Sequence, residues 1–237
     1  MNLTLVIPMY NESAIVADTM KTVERWLAIN FPDSEAIFVN DGSTDDTKTV
    51  AEKALADCPH IRLGGYEKNR GKGFAVKTGM LEGRGEIIAF TDCDLAYGLD
   101  IVADFYKANQ NCDIVIGSRP LHPEGYAGYT PLRKLMSKSY LRLVKIAAGF
   151  PWSDSQSGIK SFTAAAAKKV FGDPDFQTDG FSFDLEALMI AQREGLSVRE
   201  MPAKIINHRE SHISPLRDTA RMLRQLMIIK RRVGKKK

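Results

Sequence analysis

The chain has 237 residues, 44% of them hydrophobic, which is enough for one sizeable core, and no apolar run is long enough to span a bilayer. Its three cysteines, Cys58, Cys93 and Cys112, are odd in number and lack metal-type spacing, which argues against a disulfide framework and fits a reducing, cytoplasmic setting. The net charge of +4 conceals an asymmetry: residues 209–237 hold ten Lys/Arg against two Asp/Glu, a net +8, leaving the remainder at −4. A basic tail on a mildly acidic body fits an anionic partner, membrane or nucleic acid, or plain solvation.

Met1 to Pro8 lacks a basic n-region and reads as a strand from Leu3, so no signal peptide is expected. A helix follows over Glu12 to Ile29, with Asn11 as its expected N-cap. Ala36 to Asn40 then reads as a strand and Thr44 to Ala56 as a helix. Ile61 to Tyr66, Gly71 to Leu81, Ile87 to Thr91, Leu99 to Ala108 and Ile114 to Gly117 repeat the alternation. Such a pattern implies a mainly parallel sheet with right-handed crossovers.

Beyond Gly117 the alternation loosens. A loop containing Pro120, Pro123, Gly125 and Gly128 leads into a basic amphipathic helix, Pro131 to Ala148, which either packs on the sheet with a solvated charged face or lies on a membrane surface. A strand at Ile159, a short helix from Thr163 to Val170 and a helix opening at Phe181 come next. Val198 to Ile206 reads as a strand interrupted by Pro202, hence an edge strand. Pro215 to Val233 forms a last basic helix, and Lys235 to Lys237 a disordered tail.

The chemistry is expected at the strand ends. Ile87 to Thr91 delivers Asp92 and Asp94 to its C-terminal tip, where α/β sheets bind ligands, and two neighbouring carboxylates attract a hard divalent cation such as Mg²⁺ or Mn²⁺. An isolated Asp-x-Asp is equally what a strand followed by a polar turn looks like, so the neighbouring strand ends carry the weight. Tyr10 could stack on a base, Asp41 could accept from a base or ribose, and Gly71-Lys72-Gly73 lets backbone approach phosphate. Helix capping and turn chemistry are the alternatives for each. No Gly-x-x-x-x-Gly-Lys-Ser/Thr loop is present, and no Gly-x-Gly-x-x-Gly follows the first strand, which weakens kinase-type and dinucleotide-binding readings.

Taken in order, Val6-Ile7-Pro8-Met9-Tyr10-Asn11-Glu12, Asn40-Asp41-Gly42-Ser43, Gly71-Lys72-Gly73 and Asp92-Cys93-Asp94 resemble the signatures of inverting family-two glycosyltransferases with the GT-A fold. Gly117-Ser118-Arg119, Asp154-x-Gln156-x-Gly158-x-Lys160 and Phe183-Asp184-x-Glu186 look like the branch that makes polyprenyl-phosphate or dolichyl-phosphate sugars. The resemblance implies an α/β GT-A fold over 1–208, a mainly parallel Rossmann-like sheet flanked by helices; the charge pattern makes 209–237 a basic amphipathic helix and tail suited to a membrane surface. The resemblance also implies that Pro8, Tyr10, Glu12, Val39 and Asp41 hold the nucleoside of a UDP- or GDP-linked sugar. Asp92, Cys93 and Asp94 would line the diphosphate and metal, with Lys72 and Gln156 assisting, and Arg119, Arg133 and Ser137 would grip an acceptor phosphate.

The expected activity is therefore inverting transfer of a sugar to a polyprenyl phosphate, with the protein peripheral on the cytosolic face of a membrane and no nucleic acid partner. Two other readings stay open: a soluble glycosyltransferase with a hydroxyl acceptor, and a non-catalytic nucleotide- or nucleic-acid-binding module. A hydroxyl acceptor needs a carboxylate base, for which Asp154 is the candidate, and Asp154 is otherwise a loop acid or cap before the strand at Ile159.

Overall fold

The computed structural model describes residues 1–178, 180, 182–207 and 215–234; the side chains of Arg133 and of 215–223 lie outside that description. The first half alternates as the spacing predicts: β1 (Leu3–Met9), α1 (Val16–Asn30), β2 (Glu35–Asp41), α2 (Thr47–Ala54), β3 (Ile61–Tyr66), α3 (Lys72–Glu82), β4 (Ile87–Phe90), α4 (Asp100–Ala108) and β5 (Ile114–Ser118). The second half comprises α5 (Pro131–Ala148), β6 (Lys160–Thr163), α6 (Ala164–Phe171), α7 (Phe183–Arg193), β7 (Val198–Pro202) and α8 (Pro215–Val233).

All seven strands form one sheet in the order β3-β2-β1-β4-β6-β5-β7. Every pairing is parallel except those of β6, which runs antiparallel to both β4 and β5. Because β6 is reversed, its N-terminal residue, Lys160, reaches the edge at which β1, β2, β4 and β5 end. The sheet's one reversed strand thus brings the 154–160 segment to the carboxylate tip of β4.

Alternation along β1 sorts the core. Leu3, Leu5 and Ile7 point to the face covered by α1, α2 and α4, and Val6 to the face covered by α3, α6 and α7. Gly79 lets α3 lie directly on β1 and β2, since a Cβ there would collide with Val6 and Val39. Thr163 caps α6, its Oγ1 accepting from the Ala166 N–H at 3.2 Å.

Two expectations change. Asn11 does not cap α1, which starts at Val16 after Ile15; Asn11 has φ +55° and its side chain serves a neighbouring loop instead. The last strand stops at Pro202, short of Ile206, and occupies the sheet edge beside β5. The described end of the basic C-terminal helix packs on the domain. Leu226, Ile229 and Val233 of α8 are buried in the core shared with α6 and α7, and Arg232 pairs with the wholly buried Glu186 of α7. Glu186 also accepts from the Gln177 and Thr178 N–H groups at 2.9 and 2.6 Å, so the end of α8 closes a polar network as well as an apolar one. Residues 208–214 and the tail from 235, with His208 and His212, lie outside the described residues.

If α8 is part of this core, Ile229→Ala should lower the unfolding free energy by about 2–5 kcal/mol, the usual range for a truncated core aliphatic. Urea denaturation measures it, and a midpoint equal to the parent's would mean that α8 contributes nothing to the domain.

Candidate functional site

Hydrogen bonds lace the loops at the C-terminal edge of the sheet. Asn11 Oδ1 accepts from the Thr44 N–H at 2.9 Å, the Asn11 N–H donates to Ser43 Oγ at 3.1 Å, and the Glu12 N–H donates to Thr47 Oγ1 at 2.7 Å. The loops after β1 and β2 are therefore one unit. Asp41, at the end of β2, ties in the loop after β3: its carboxylate accepts from Tyr66 Oη at 2.7 Å, Asn69 Nδ2 at 2.9 Å, and the Arg70 and Gly71 N–H groups at 2.8 and 2.9 Å. Only 3% exposed, Asp41 holds the Gly71-Lys72-Gly73 turn. Pro8 and Val39 are buried partners in the sheet, and Tyr10 is the exposed aromatic of this group.

Asp92, Cys93 and Asp94 follow β4 in a turn anchored from both sides. Thr19 Oγ1 of α1 donates to the Cys93 carbonyl at 2.9 Å, and the Leu95 N–H donates to the Asp92 carbonyl at 2.9 Å. Asp94 Oδ1 accepts from the Ala96 N–H at 3.0 Å. Lys72, from the loop that Asp41 holds, forms an ion pair with Asp92 Oδ1. On the other side Gly158 abuts Asp92, and a Cβ there would overlap the carboxylate.

Behind this pair lies a second one. Lys160 is fully buried and its Nζ donates to Asp184 Oδ1 and to the Ser157 carbonyl, both at 2.7 Å. Burial raises the Asp94 pKa, as does the neighbouring Asp92 charge, while the Ala96 N–H and Lys72 oppose the rise. Asp184 is likewise raised, first by burial, against the pull of Lys160 and Lys72. Burial would depress the Lys72 ammonium, but Asp92, Asp184 and Asp94 outweigh it and hold the pKa above the ordinary lysine value. Two ammonium groups face three carboxylates, so the cluster is short of positive charge.

The tip of β5 brings a separate group. Arg119 is clamped to Asp154, Nε on Oδ2 at 2.7 Å and one Nη on Oδ1 at 2.9 Å, and its other Nη approaches Tyr129 Oη at 3.4 Å. Asp154 is wholly buried, and although burial alone would raise its pKa, Arg119 and the Gln156 and Arg119 N–H groups hold it below the ordinary range. A carboxylate so stabilised as the anion is a poor proton acceptor, so Asp154 positions Arg119 instead of serving as the free base expected for a hydroxyl acceptor. Burial pushes the Tyr97 phenol up, Arg119 pulls it back, and Asp154 and Asp92 raise it further.

Unpartnered polar atoms mark the same region. Thr91 Oγ1, Gln156 Nε2 and Tyr140 Oη are buried and have no hydrogen-bond partner among the described residues, a condition native interiors rarely leave unexplained. Burial raises the Tyr126 phenol, Arg119 and Ser137 lower it, and Lys134 and Lys138 stand 5.9 and 5.5 Å from its ring centre. Tyr126 packs edge-on against Tyr129, ring centres 5.7 Å apart, and it is Tyr129 that meets Arg119; the Arg133 side chain lies outside the described residues. Sequence reasoning assigned no role to Tyr126, Lys160 or Asp184. The available signal was Lys160 itself, a lysine opening a short strand, four residues after Gln156 in a quoted motif.

No group of three His, Cys, Asp or Glu side chains suited to a metal occurs among the described residues. Asp92 and Asp94 supply hard oxygen donors, and the rest of a shell would come from water and phosphate oxygens, the mode in which Mg²⁺ binds with one or two carboxylates. The donor set fits such a cation.

A mainly parallel sheet with one reversed strand, carrying an Asp-x-Asp turn at its C-terminal edge, is the architecture of GT-A glycosyltransferases. Glucosyl-3-phosphoglycerate synthase from Mycobacterium tuberculosis, solved with Mn²⁺, uridine diphosphate and glucosyl-3-phosphoglycerate, superposes with a TM-score of 0.70 over 100% of this chain and 81% of that one; at 19% identity the fold is what the two share. The chain belongs to glycosyl transferase family 2, whose model matches residues 4–171. It is 37% identical over 215 residues to dolichyl-phosphate beta-glucosyltransferase ALG5C of Trichomonas vaginalis, covering 85% of this chain and 63% of the relative. With the dolichyl-phosphate beta-glucosyltransferase of Saccharomyces cerevisiae the identity is 29% over 248 residues, 96% of this chain and 74% of the relative. The chain thus spans less than two thirds of the Trichomonas relative's length and about three quarters of the yeast one's.

Cys93 sits between the two acids yet is unsuited to nucleophilic chemistry. Burial, followed by the Glu12 charge, pushes its thiol up to about 12. At pH 8 the thiolate fraction is on the order of one in ten thousand. Native-state alkylation with iodoacetamide at pH 8, read by mass spectrometry, should leave Cys93 unmodified until denaturant is added, and rapid native labelling would contradict this environment.

Proposed function

We propose that this chain transfers a sugar from a nucleotide-diphosphate sugar to a polyprenyl phosphate of the dolichyl type, with inversion, at the cytosolic face of a membrane. The observation that carries the reading is the meeting, at one sheet edge, of a half-buried carboxylate pair short of positive charge and an arginine–tyrosine–serine group flanked by lysines. The first suits a cation-bound diphosphate and the second an acceptor phosphate. The names of the relatives support the lipid-phosphate acceptor, and the Mn²⁺- and uridine-diphosphate-bound relative of the fold supports a nucleotide donor.

Such an acceptor suits a site without a free base. A phosphate monoester has a second pKa near about 6 and is an anion at neutral pH, so its oxygen needs aiming and no proton has to be removed. Arg119, held by Asp154, and the Tyr126 hydroxyl would orient it for in-line attack at the anomeric carbon. The new carbon–oxygen bond forms as the bond to the donor diphosphate breaks, and the electron pair leaves with the nucleoside diphosphate. Bound Mg²⁺ or Mn²⁺ on Asp92 and Asp94 would supply neutralisation of the charge on that diphosphate. Lys72 at the start of α3 adds positive charge on the same side.

The outer surface suits a lipid substrate. Leu132, Leu135, Leu143 and Ile146 of α5 are 45–74% exposed along one stripe, while Leu141 and Val144 face the core. Lys134, Lys138, Arg142 and Lys145 flank the stripe, and Met227 and Ile228 of the adjoining α8 are also exposed. Among the described residues no helix is long and apolar enough to cross a membrane. An amphipathic helix with lysines beside its apolar face favours lying on an anionic leaflet.

Two measurements test this. Purified chain with Mn²⁺, a radiolabelled nucleotide sugar and either a short polyprenyl phosphate or the matching alcohol should label the phosphate only. Asp94→Asn should reduce turnover by at least about a hundredfold with thermal unfolding unchanged, and labelling of the alcohol alone would favour the hydroxyl-acceptor reading. In flotation with phosphatidylserine vesicles, Leu135→Glu with Ile146→Glu should abolish co-flotation without altering far-UV circular dichroism. Undiminished flotation would remove α5 from the membrane contact.

A further inference from the structure

Lys72 occupies a position that its own helix disfavours. It is the first residue of α3, a helix with no acid in its first turn, and a lysine there adds to the positive end of the macrodipole. Its compensation is tertiary: the ion pair with Asp92, from a loop 20 residues further along the chain. Asp92 is held in that contact on both sides, by the Lys72 ammonium at Oδ1 and by Gly158 packed against the rest of the carboxylate. A divalent cation shared by Asp92 and Asp94 and the Lys72 ammonium therefore compete for the same carboxylate.

We propose that Lys72 decides in what form the cation is accepted: by holding Asp92 it weakens the site for a bare divalent ion, and on release from Asp92 it turns its charge to the nucleotide diphosphate. The site then takes cation and nucleotide together in preference to the cation first. This rests on the reading above that Asp92 and Asp94 face a cation-bound diphosphate. Lys72 is here a specificity-determining residue, and its effect has opposite signs for two ligands. Removing the ammonium relieves Asp92 of a competitor but takes a positive charge away from the diphosphate. Loss of a purely structural contact would weaken both.

The test is binding, without turnover. Free Mn²⁺ is followed by electron paramagnetic resonance during titration of the full chain, its Lys72→Gln variant and its Lys72→Arg variant. Binding of UDP and of GDP in saturating Mn²⁺ is then measured by calorimetry. Lys72→Gln should bind Mn²⁺ alone roughly tenfold more tightly than the parent, and the preferred nucleotide roughly tenfold more weakly, as expected for one unit charge acting at intermediate dielectric. Lys72→Arg, which keeps the charge on Asp92, should bind Mn²⁺ alone no more tightly than the parent, and it carries the test if the glutamine variant does not fold. Tighter Mn²⁺ binding by Lys72→Arg, or unchanged or weaker Mn²⁺ binding by Lys72→Gln, overturns the inference. A parent that binds neither nucleotide with Mn²⁺ overturns the donor reading and the inference with it.

Discussion

Negative charge crowded at the end of a strand is the constraint around which this structure is arranged. Asp92 and Asp94 stand two residues apart at the tip of β4 with Asp184 behind them, and repulsion among three carboxylates in a partly desolvated site has to be met by cations. The protein supplies two, each from a different part of the chain: Lys160 from the reversed strand and Lys72 from the start of α3. The remaining deficit leaves the cluster net negative.

That arrangement depends on loops that are rigid before any ligand is considered. Asp41 spends its carboxylate on the turn that presents Lys72, Asn11 joins the first two loops, and Thr19 pins the Cys93 carbonyl. The same logic recurs at the tip of β5, where Asp154 fixes the guanidinium of Arg119 and Glu200 in turn accepts from the Ser153 and Asp154 N–H groups at 2.8 and 3.2 Å. Several acids whose residue type suggests direct chemistry thus serve as the frame for cationic side chains. Carboxylates buried against arginine or backbone N–H groups are stabilised as anions, which makes them good anchors and poor bases.

The two basic helices have different physical roles despite similar composition. Both alternate apolar and basic residues, yet α8 buries Leu226, Ile229 and Val233 in the core, whereas α5 buries Leu141 and Val144 and leaves four large aliphatics outside. The difference lies in neighbours. The described end of α8 is covered by α5 and α7, while the outer stripe of α5 has no element packed over it among the described residues.

The sequence by itself determined the α/β alternation through β5 and the convergence of strand tips on one edge, with Asp92 and Asp94 at the tip of β4. Strand and helix periods, Gly-Lys-Gly and Asp-x-Asp spacings are local properties that survive without knowledge of contacts. Only the tertiary structure decided which partner each charge takes. Arg119 and Asp154 lie 35 residues apart, Lys160 and Asp184 24, and no local pattern joins them. Residue type likewise could not tell that Asn11 bridges two loops where a cap was expected, or that a four-residue strand would enter the sheet reversed and carry Lys160 to the site. Pairing is a long-range outcome, fixed when the sheet closes and each buried charge must find the one neighbour within reach.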